Sequence, residues 1–414
     1  MSQRSDSRVT RRRFLQQGST VAAGAALVGT AAARPGEDTK RDMKYRRFGR
    51  TGLMVSEIGV GCATGLRSRQ LGPERFNRYR EQLPTIVDML LARGGNFVAT
   101  SSSYHDTEEI LGRALNGRRK DVIIFTSASP GKDVAKVIAS CERSLKRFQT
   151  DVIDCYFGHG GFSEAFYEAA LKLKKQGKIR FIGQSCHVPA KHRELVEADR
   201  LDFVFQPYNY VALAKWTEKI DRDGAEELFA FCKKKDVGVI VMKPMTGHYI
   251  PNWAKDTSDP KVAGLLRELK EIGTENLYQA FLMWILKNSN VSCVAIGMNK
   301  PQDVTEDCDA VSREFTALHH RLLEHYAAAV TDDYCRMCET CLPSCPQGLP
   351  IPDILRFRMY YKNYGHRDDA RELYANLPEA KRFTACTNCG LCQQTCPNKL
   401  AIVEKLQEAH ALLT

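Results

Sequence analysis

Two cysteine runs near the C-terminus constrain this chain more than any other feature. The first is Cys335, Cys338, Cys341 and Cys345, followed by Pro346; the second is Cys386, Cys389, Cys392 and Cys396, followed by Pro397. Each reads C-x2-C-x2-C-x3-C-P, a spacing that wraps four thiolates around a [4Fe–4S] cube. A single run could hold zinc or arise by chance. Two identical runs match no ordinary zinc spacing and point to a two-cluster electron-transfer module. In such modules the fourth cysteine of each run ligates the other cube. Cluster one then takes Cys335, Cys338, Cys341 and Cys396, and cluster two takes Cys386, Cys389, Cys392 and Cys345. Pro346 and Pro397 fix φ just past the last ligand and turn the chain away.

The remaining bounds are ordinary. A chain of 414 residues holds a large domain and a smaller one. Its net charge of +11 is spread among acidic residues. No Lys/Arg stripe with interleaved aromatics appears, so a solvated basic surface is expected, not nucleic-acid binding. The seven other cysteines, Cys62, Cys141, Cys155, Cys186, Cys232, Cys293 and Cys308, stand singly. Most lie in apolar segments, as small buried hydrophobes do.

The N-terminus reads as an address. Thr10-Arg11-Arg12-Arg13-Phe14-Leu15-Gln16 resembles the twin-arginine export consensus, and a mild Ala/Gly-rich stretch runs from Gly18 to Ala33. It ends in the small residues Ala31-Ala32-Ala33, which suit cleavage. A retained membrane anchor is the competing reading, and a stretch this short and weakly apolar counts against it. The resemblance implies translocation of a folded, cofactor-loaded protein by the twin-arginine translocase, with residues 1–33 removed and the periplasm as destination. That route fits iron–sulfur clusters, which are inserted before export. Residues 34–43 are expected to be a linker.

From Met43 to about Ala310 the chain alternates short apolar runs with amphipathic stretches. Strands are expected at Ser56–Gly61, Asn96–Thr100, Val122–Thr126, Ile153–Gly158, Ile179–Ser185, Phe203–Pro207, Gly238–Met242 and Cys293–Ile296. Helical patterns lie between, among them Phe76–Arg93, Glu108–Leu115, Val134–Arg147, Glu164–Gln176, Ala225–Lys235 and Glu275–Asn288. Continuous apolar strands indicate parallel strands buried on both faces. Eight such units predict an α/β fold, a (β/α)8 TIM barrel over residues 44–315, followed by a small, mainly helical two-cluster domain over 316–414. A doubly wound open sheet is the competing reading, and the missing G-x-G-x-x-G after the first strand counts against it.

Several motifs resemble the aldo-keto reductase family. They are Met43–Leu53 with Val55–Gly61, Asp106–Leu115, Gly177-Lys178-Ile179-Arg180 with Ile182-Gly183, and Gln206-Pro207-Tyr208-Asn209. The branch with a C-terminal ferredoxin-like module is the nearest match. The long insert between the cysteine runs, with Asp353–Leu377 helical, resembles helical dicluster ferredoxins. The resemblance implies an oxidoreductase with an Asp, Tyr, Lys and His set at the strand ends. Tyr104 and His159 hold the Tyr and His positions and are the candidate catalytic residues. The Asp position reads Ala99 and the Lys position Ser127. The two losses are linked, because either charge alone would be buried unpaired at a cost of about 3–5 kcal/mol. Without the lysine, Tyr104 is expected near the ordinary phenol pKa of about 10.

The resemblance also implies a nicotinamide site at Ser185 and Gln206, with Cys186 where the family has Asn. Glu306 is the candidate at the adenosine end, with Asp307 replacing an Asn. Asp303 stands where some members have a phosphate-binding Arg, so NAD(H) is expected over NADP(H). His105, His159, His187 and His248 follow four expected strands. Their convergence fits substrate hydrogen bonding better than a metal, since no H-x-x-x-H or carboxylate spacing accompanies them. Lys243 could reach an anionic group there or be a solvated loop residue. The expected activity is carbonyl or alcohol chemistry on a small polar substrate, sugars included. Electrons would pass through two [4Fe–4S] clusters to an external electron-transfer or quinone-linked partner. The alternative is a non-catalytic electron carrier that keeps the barrel as a scaffold.

Overall fold

The computed structural model describes residues 43–63, 73–129, 131–210, 221–244, 260–271, 277–333, 335, 339–363, 367–397 and 399–414. The expected signal 1–33, His248 and Cys338 lie outside the described residues. Residues Lys40–Thr414 form one unit by their contacts.

Strands β1 (Tyr45–Arg47) and β2 (Met54–Ser56) pair antiparallel as a hairpin. Phe48 leaves the hairpin fully buried, with its ring centroid 5.5 Å from those of Phe125 and Phe203. The turn needs Gly49, at φ +52°, because a Cβ there would stand 2.3 Å from the Gly238 amide nitrogen. Arg46 ties the hairpin down, donating to Glu57 and to the carbonyls of Leu286, Asn288 and Val291. The hairpin thus plugs one end of the structure that follows. The expected strand Ser56–Gly61 therefore divides. Ser56 pairs with Tyr45, and Glu57 breaks the run because its carboxylate turns to Arg46.

Eight parallel strands close a barrel: β3 (Ile58–Gly61), β4 (Phe97–Ala99), β5 (Ile123–Ala128), β6 (Ile153–His159), β7 (Ile179–Ser185), β8 (Phe203–Pro207), β9 (Gly238–Met242) and β10 (Cys293–Ile296). Their spatial order is β10-β3-β4-β5-β6-β7-β8-β9, so each strand lies beside its sequence neighbours. The open-sheet reading is thereby excluded. Alternate residues face inward, where Phe97, Phe125, Phe157, Phe203 and Phe205 pack with Cys155, Ile240 and Cys293. The other face, with Ile58, Val60, Val98, Ile124, Val204 and Val239, packs into the helical shell. Bulky rings need small partners. A Cβ at Gly59 would sit 2.5 Å from the Phe97 ring, and one at Gly183 would sit 2.4 Å from Phe203.

Helices follow the strands at expected places, for example Val134–Phe148 and Glu164–Lys175. The first is capped by Asp133, which accepts from the Ala135 and Lys136 amides; the second by Ser163, which accepts from Phe166. Helix Ala317–Asp333 packs on helices Pro260–Glu271 and Leu277–Lys287 and then delivers Cys335. The stretch expected as one helix, Asp353–Leu377, contains two, Ile351–Asn363 and Arg367–Ala375. These pack with Ile402–Leu413 around Ile354, Leu355, Tyr374 and Leu406. Arg358, almost wholly buried, pairs with Glu408, which also takes Lys362. Among the described residues no helix is long and apolar enough to cross a membrane.

Candidate active site and cysteine module

Inward alternation decides what reaches the barrel mouth. Phe97 faces inward, so Ala99 does; Phe125 faces inward, so Ser127 does; and Phe157 is followed by His159. β5 and β6 then bring the Ser127 hydroxyl to 3.1 Å from His159 Nδ1. Tyr104 sits in the turn after β4, with its ring edge-on to His159 at 5.6 Å between centroids. Expected residues Tyr104 and His159 are thus neighbours, and serine occupies the lysine position without leaving an unpaired charge. Burial lowers the His159 pKa, and the Lys243 ammonium lowers it further. The neutral imidazole is the favoured form.

Five other residues crowd the same rim. Lys243 Nζ lies 2.6 Å from His187 Nε2. The Ser185 hydroxyl lies 3.9 Å from the Met242 sulfur. The Cys186 sulfur accepts from the Val188 amide, so it serves its own loop. Gln206 is fully buried; its Nε2 donates to the carbonyls of Pro207 and His187, at 3.2 and 3.5 Å. Its Oε1 is buried with no partner among the described residues. A buried orphan acceptor calls for a donor, and a carboxamide NH2 is one. Ser185 and Gln206 therefore fit the nicotinamide end of a dinucleotide. His105 is exposed on a left-handed residue at φ +52°.

At the proposed adenosine end, the structure revises the reading of Asp303. Its carboxylate turns inward and accepts from the Asn299 and Lys300 amides at 2.8 and 3.2 Å, capping helix Pro301–Val311. Burial raises its pKa. Its first role is a helix cap, and the amides it takes are closed to a phosphate. Glu306 accepts from Gln302 Nε2 at 2.6 Å. Burial pushes the Asp307 carboxyl well above the ordinary range. A neutral carboxyl has nearly the shape of the asparagine side chain it replaces.

Sequence reasoning missed His192, on helix Pro189–Glu197. It is fully buried, neither ring nitrogen has a good hydrogen bond among the described residues, and burial drives its pKa to about 4. Nothing in its spacing marked it, because the helix is weakly patterned.

The cysteine module repeats itself at an offset of 51 residues, since Cys335 corresponds to Cys386. The backbone repeats too. Gly348 and Lys399 both have positive φ, as do Glu339 and Gly390. The Gly348 and Lys399 amides donate to the Cys345 and Cys396 carbonyls. Helices then start at Ile351 and Ile402, two counterparts. The halves cross where the Ser344 hydroxyl donates to Thr395 Oγ1 at 3.0 Å, just before the two fourth cysteines. A pocket is lined by Cys386, Cys389, Cys392 and Cys345, with Leu349, Ile351, Val403 and Leu406. Three thiols of the second run and the fourth of the first thus face one cavity, the crossed set expected for cluster two. Amides of Leu349 and Asn388 donate to the Cys345 and Cys386 sulfurs, each at 3.4 Å. Cys335, Cys341 and Cys396 border the same core. Among the described residues no three His, Cys, Asp or Glu side chains surround a single-ion position. Thiols that bind one to each of four irons stand farther apart than ligands of one ion.

Comparison with known proteins agrees with both parts. Residues 59–327 match the Aldo/keto reductase family, and residues 331–400 match the 4Fe-4S dicluster domain. An uncharacterized oxidoreductase, YqkF, of Bacillus subtilis (strain 168) is 25% identical over 303 residues, covering 65% of this chain and 92% of that protein. An L-galactose dehydrogenase of Arabidopsis thaliana is 28% identical over 297 residues, covering 65% and 88%. The structure of an aldo-keto reductase from Klebsiella pneumoniae in complex with NADPH superposes with a TM-score of 0.54 at 21% identity, covering 69% and 95%. The chain belongs to the aldo/keto reductase family, as an oxidoreductase that continues into a 4Fe-4S dicluster domain.

Proposed function

We propose that this iron–sulfur oxidoreductase is exported and interconverts an alcohol and a carbonyl in a small polar substrate of the sugar class, exchanging electrons with an outside carrier through two clusters. The observation that carries the reading is the Tyr104–His159 pair, at 5.6 Å, in one chain with a crossed cysteine cavity. The relative that acts on L-galactose supports the substrate class.

Oxidising one alcohol releases two electrons and two protons. The partly buried, neutral His159 accepts the hydroxyl proton, oriented by Ser127. Tyr104 holds the substrate oxygen from the other side. The phenylalanine-filled interior beneath them keeps water out of the barrel. When bound, two cubes supply two one-electron sites, together matching one alcohol oxidation. A bound nicotinamide would supply hydride acceptance, held by Ser185 and Gln206 and by Glu306 at its far end. Asp303, closed on its own amides, favours NAD(H) over NADP(H), although the Klebsiella structure carries NADPH. The twin-arginine-like Arg11-Arg12 segment supports export to the periplasm as a folded holoprotein.

The test uses anaerobically purified full-length protein. Iron and bound nucleotide are measured first. A panel of sugars, alcohols and carbonyls is then screened for bleaching of cluster absorbance and for turnover with an artificial acceptor. Tyr104→Phe is expected to cut turnover about tenfold or more with clusters intact. Turnover unchanged in that variant removes the tyrosine role, and no response to any substrate removes the whole reading.

A further inference from the structure

Strand β5 brings a serine to the mouth, yet a cation stands there. Register carries Lys243 toward His159. His159 on β6 pairs with Ser185 on β7. The Ser185 hydroxyl contacts the sulfur of Met242, the residue before Lys243. The ammonium of Lys243 then meets His187 Nε2 at 2.6 Å. Its backbone is left-handed, at φ +56°, which turns the chain sharply as it leaves β9. Asn209 holds it there, with Nδ2 donating to the Lys243 carbonyl at 3.1 Å. A backbone fixed by an anchoring amide and a side chain held by an imidazole partner are more than a solvated loop lysine needs.

We propose that Lys243 is a positioning residue of the barrel site: the cation absent from β5, relocated to the end of β9 and aimed by His187 and Asn209 at His159 and at the oxygen bound beside it. This rests on the alcohol–carbonyl reading above. Among the described residues, four named groups stand around His159. The loop after β4 gives Tyr104, β5 gives the uncharged Ser127, and the ends of β7 and β9 give His187 and Lys243. The Lys243 ammonium, held against His187 Nε2 at 2.6 Å, brings a positive charge to this rim. That charge opposes protonation of His159. It also draws a substrate oxygen toward the alkoxide. With Nδ1–H given to Ser127 Oγ, the Nε2 lone pair of His159 faces the mouth and takes the hydroxyl proton. One O–H bond breaks, one N–H bond forms, and the oxygen's new negative charge is met by the ammonium. In this arrangement the lysine acts from β9 on the histidine, where the parent pattern has it act from β5 on the tyrosine.

The test needs no substrate. Histidine-labelled full-length holoprotein is titrated by NMR, with the His159 resonance assigned by its loss in His159→Gln. In Lys243→Met and in Lys243→Gln the His159 midpoint is expected to move to higher pH, and in Lys243→Arg to return toward wild type. The acid limb of any measured pH–rate profile is expected to move with it, and turnover in Lys243→Met to fall about tenfold or more. A His159 midpoint unmoved in both neutral variants overturns the proposal. A moved midpoint in a protein that turns over no alcohol or carbonyl upholds the positioning role and refutes the proposed function, so the two failures are distinct.

Discussion

Acid should loosen the rim before it unfolds the barrel, and His192 is the reason. Its folded pKa of about 4 lies below the ordinary 6.5 because burial penalises the charged ring. The unfolded chain therefore binds more protons than the folded one between these values. Stability is complete above about pH 6.5, falls as pH drops toward 4, and does not recover below it. A gap of about 2.5 pH units at 1.36 kcal/mol each gives roughly 3 kcal/mol lost across the window. The loss is local first, since helix Pro189–Glu197 follows directly on the segment that carries Ser185 and His187. Hydrogen exchange of this helix, read at about pH 7 and pH 4.5 in the wild type and in His192→Leu, measures it. Comparing the two proteins cancels acid effects from every other group. The wild-type helix is expected to lose protection relative to the variant by about 2–3 kcal/mol at the lower pH. An equal difference at both pH values would refute the argument.

Three further outcomes follow from packing and ligation. Phe48→Ala, which empties the plug beneath Phe125 and Phe203, should cost about 3–5 kcal/mol in denaturant unfolding; a loss under 1 kcal/mol would mean that the hairpin is dispensable. Cys345→Ser should remove cluster two and spare cluster one, leaving about four irons of about eight, although Cys345 belongs to the first run in sequence. Loss of cluster one alone, read by iron count and EPR of the reduced protein, would contradict the crossed ligation. Asp303→Ala should cost about 1 kcal/mol through the lost cap, whatever it does to coenzyme preference.

The barrel was legible because its strands are buried on both faces. An apolar run such as Phe203–Pro207 or Gly238–Met242 has no solvent side to interrupt it, and both strands begin and end where the sequence reading put them. The hairpin was not legible. Met54-Val55-Ser56 continues smoothly into Ile58-Gly59-Val60, and only the distant Arg46–Glu57 contact separates them. The helix from Ile351 was read two residues short and joined to its neighbour, because helix boundaries depend on tertiary partners such as the Arg358–Glu408 pair. At the site, the motifs located Tyr104, His159, Ser185 and Gln206, and strand-end positions put His187 and Lys243 on the same rim, but their contact was not legible. Lys243 and His187 lie 56 positions apart, and only closure of the barrel brings them to 2.6 Å.

The duplicated module shows what crossed ligation asks of folding. In an uncrossed pair each cysteine run could close on its own cube, and the 51-residue repeat could fold as two independent halves. Here Cys345 lines the cavity of the second run, and Ser344 bonds to Thr395 at the crossing. With the crossed ligation proposed for this pair, neither half completes its ligand set until the other has docked. The helices between them, Ile351–Asn363 and Arg367–Ala375, must therefore be in place with Ile402–Leu413 before either cube is fully held. Cluster insertion and folding become one event, since metal binding free energy is then folding free energy. Such a module is completed where iron, sulfide and reductant are supplied together. A chain built this way gains from a translocation route that carries proteins already folded, and the proposed export by a twin-arginine signal meets that requirement.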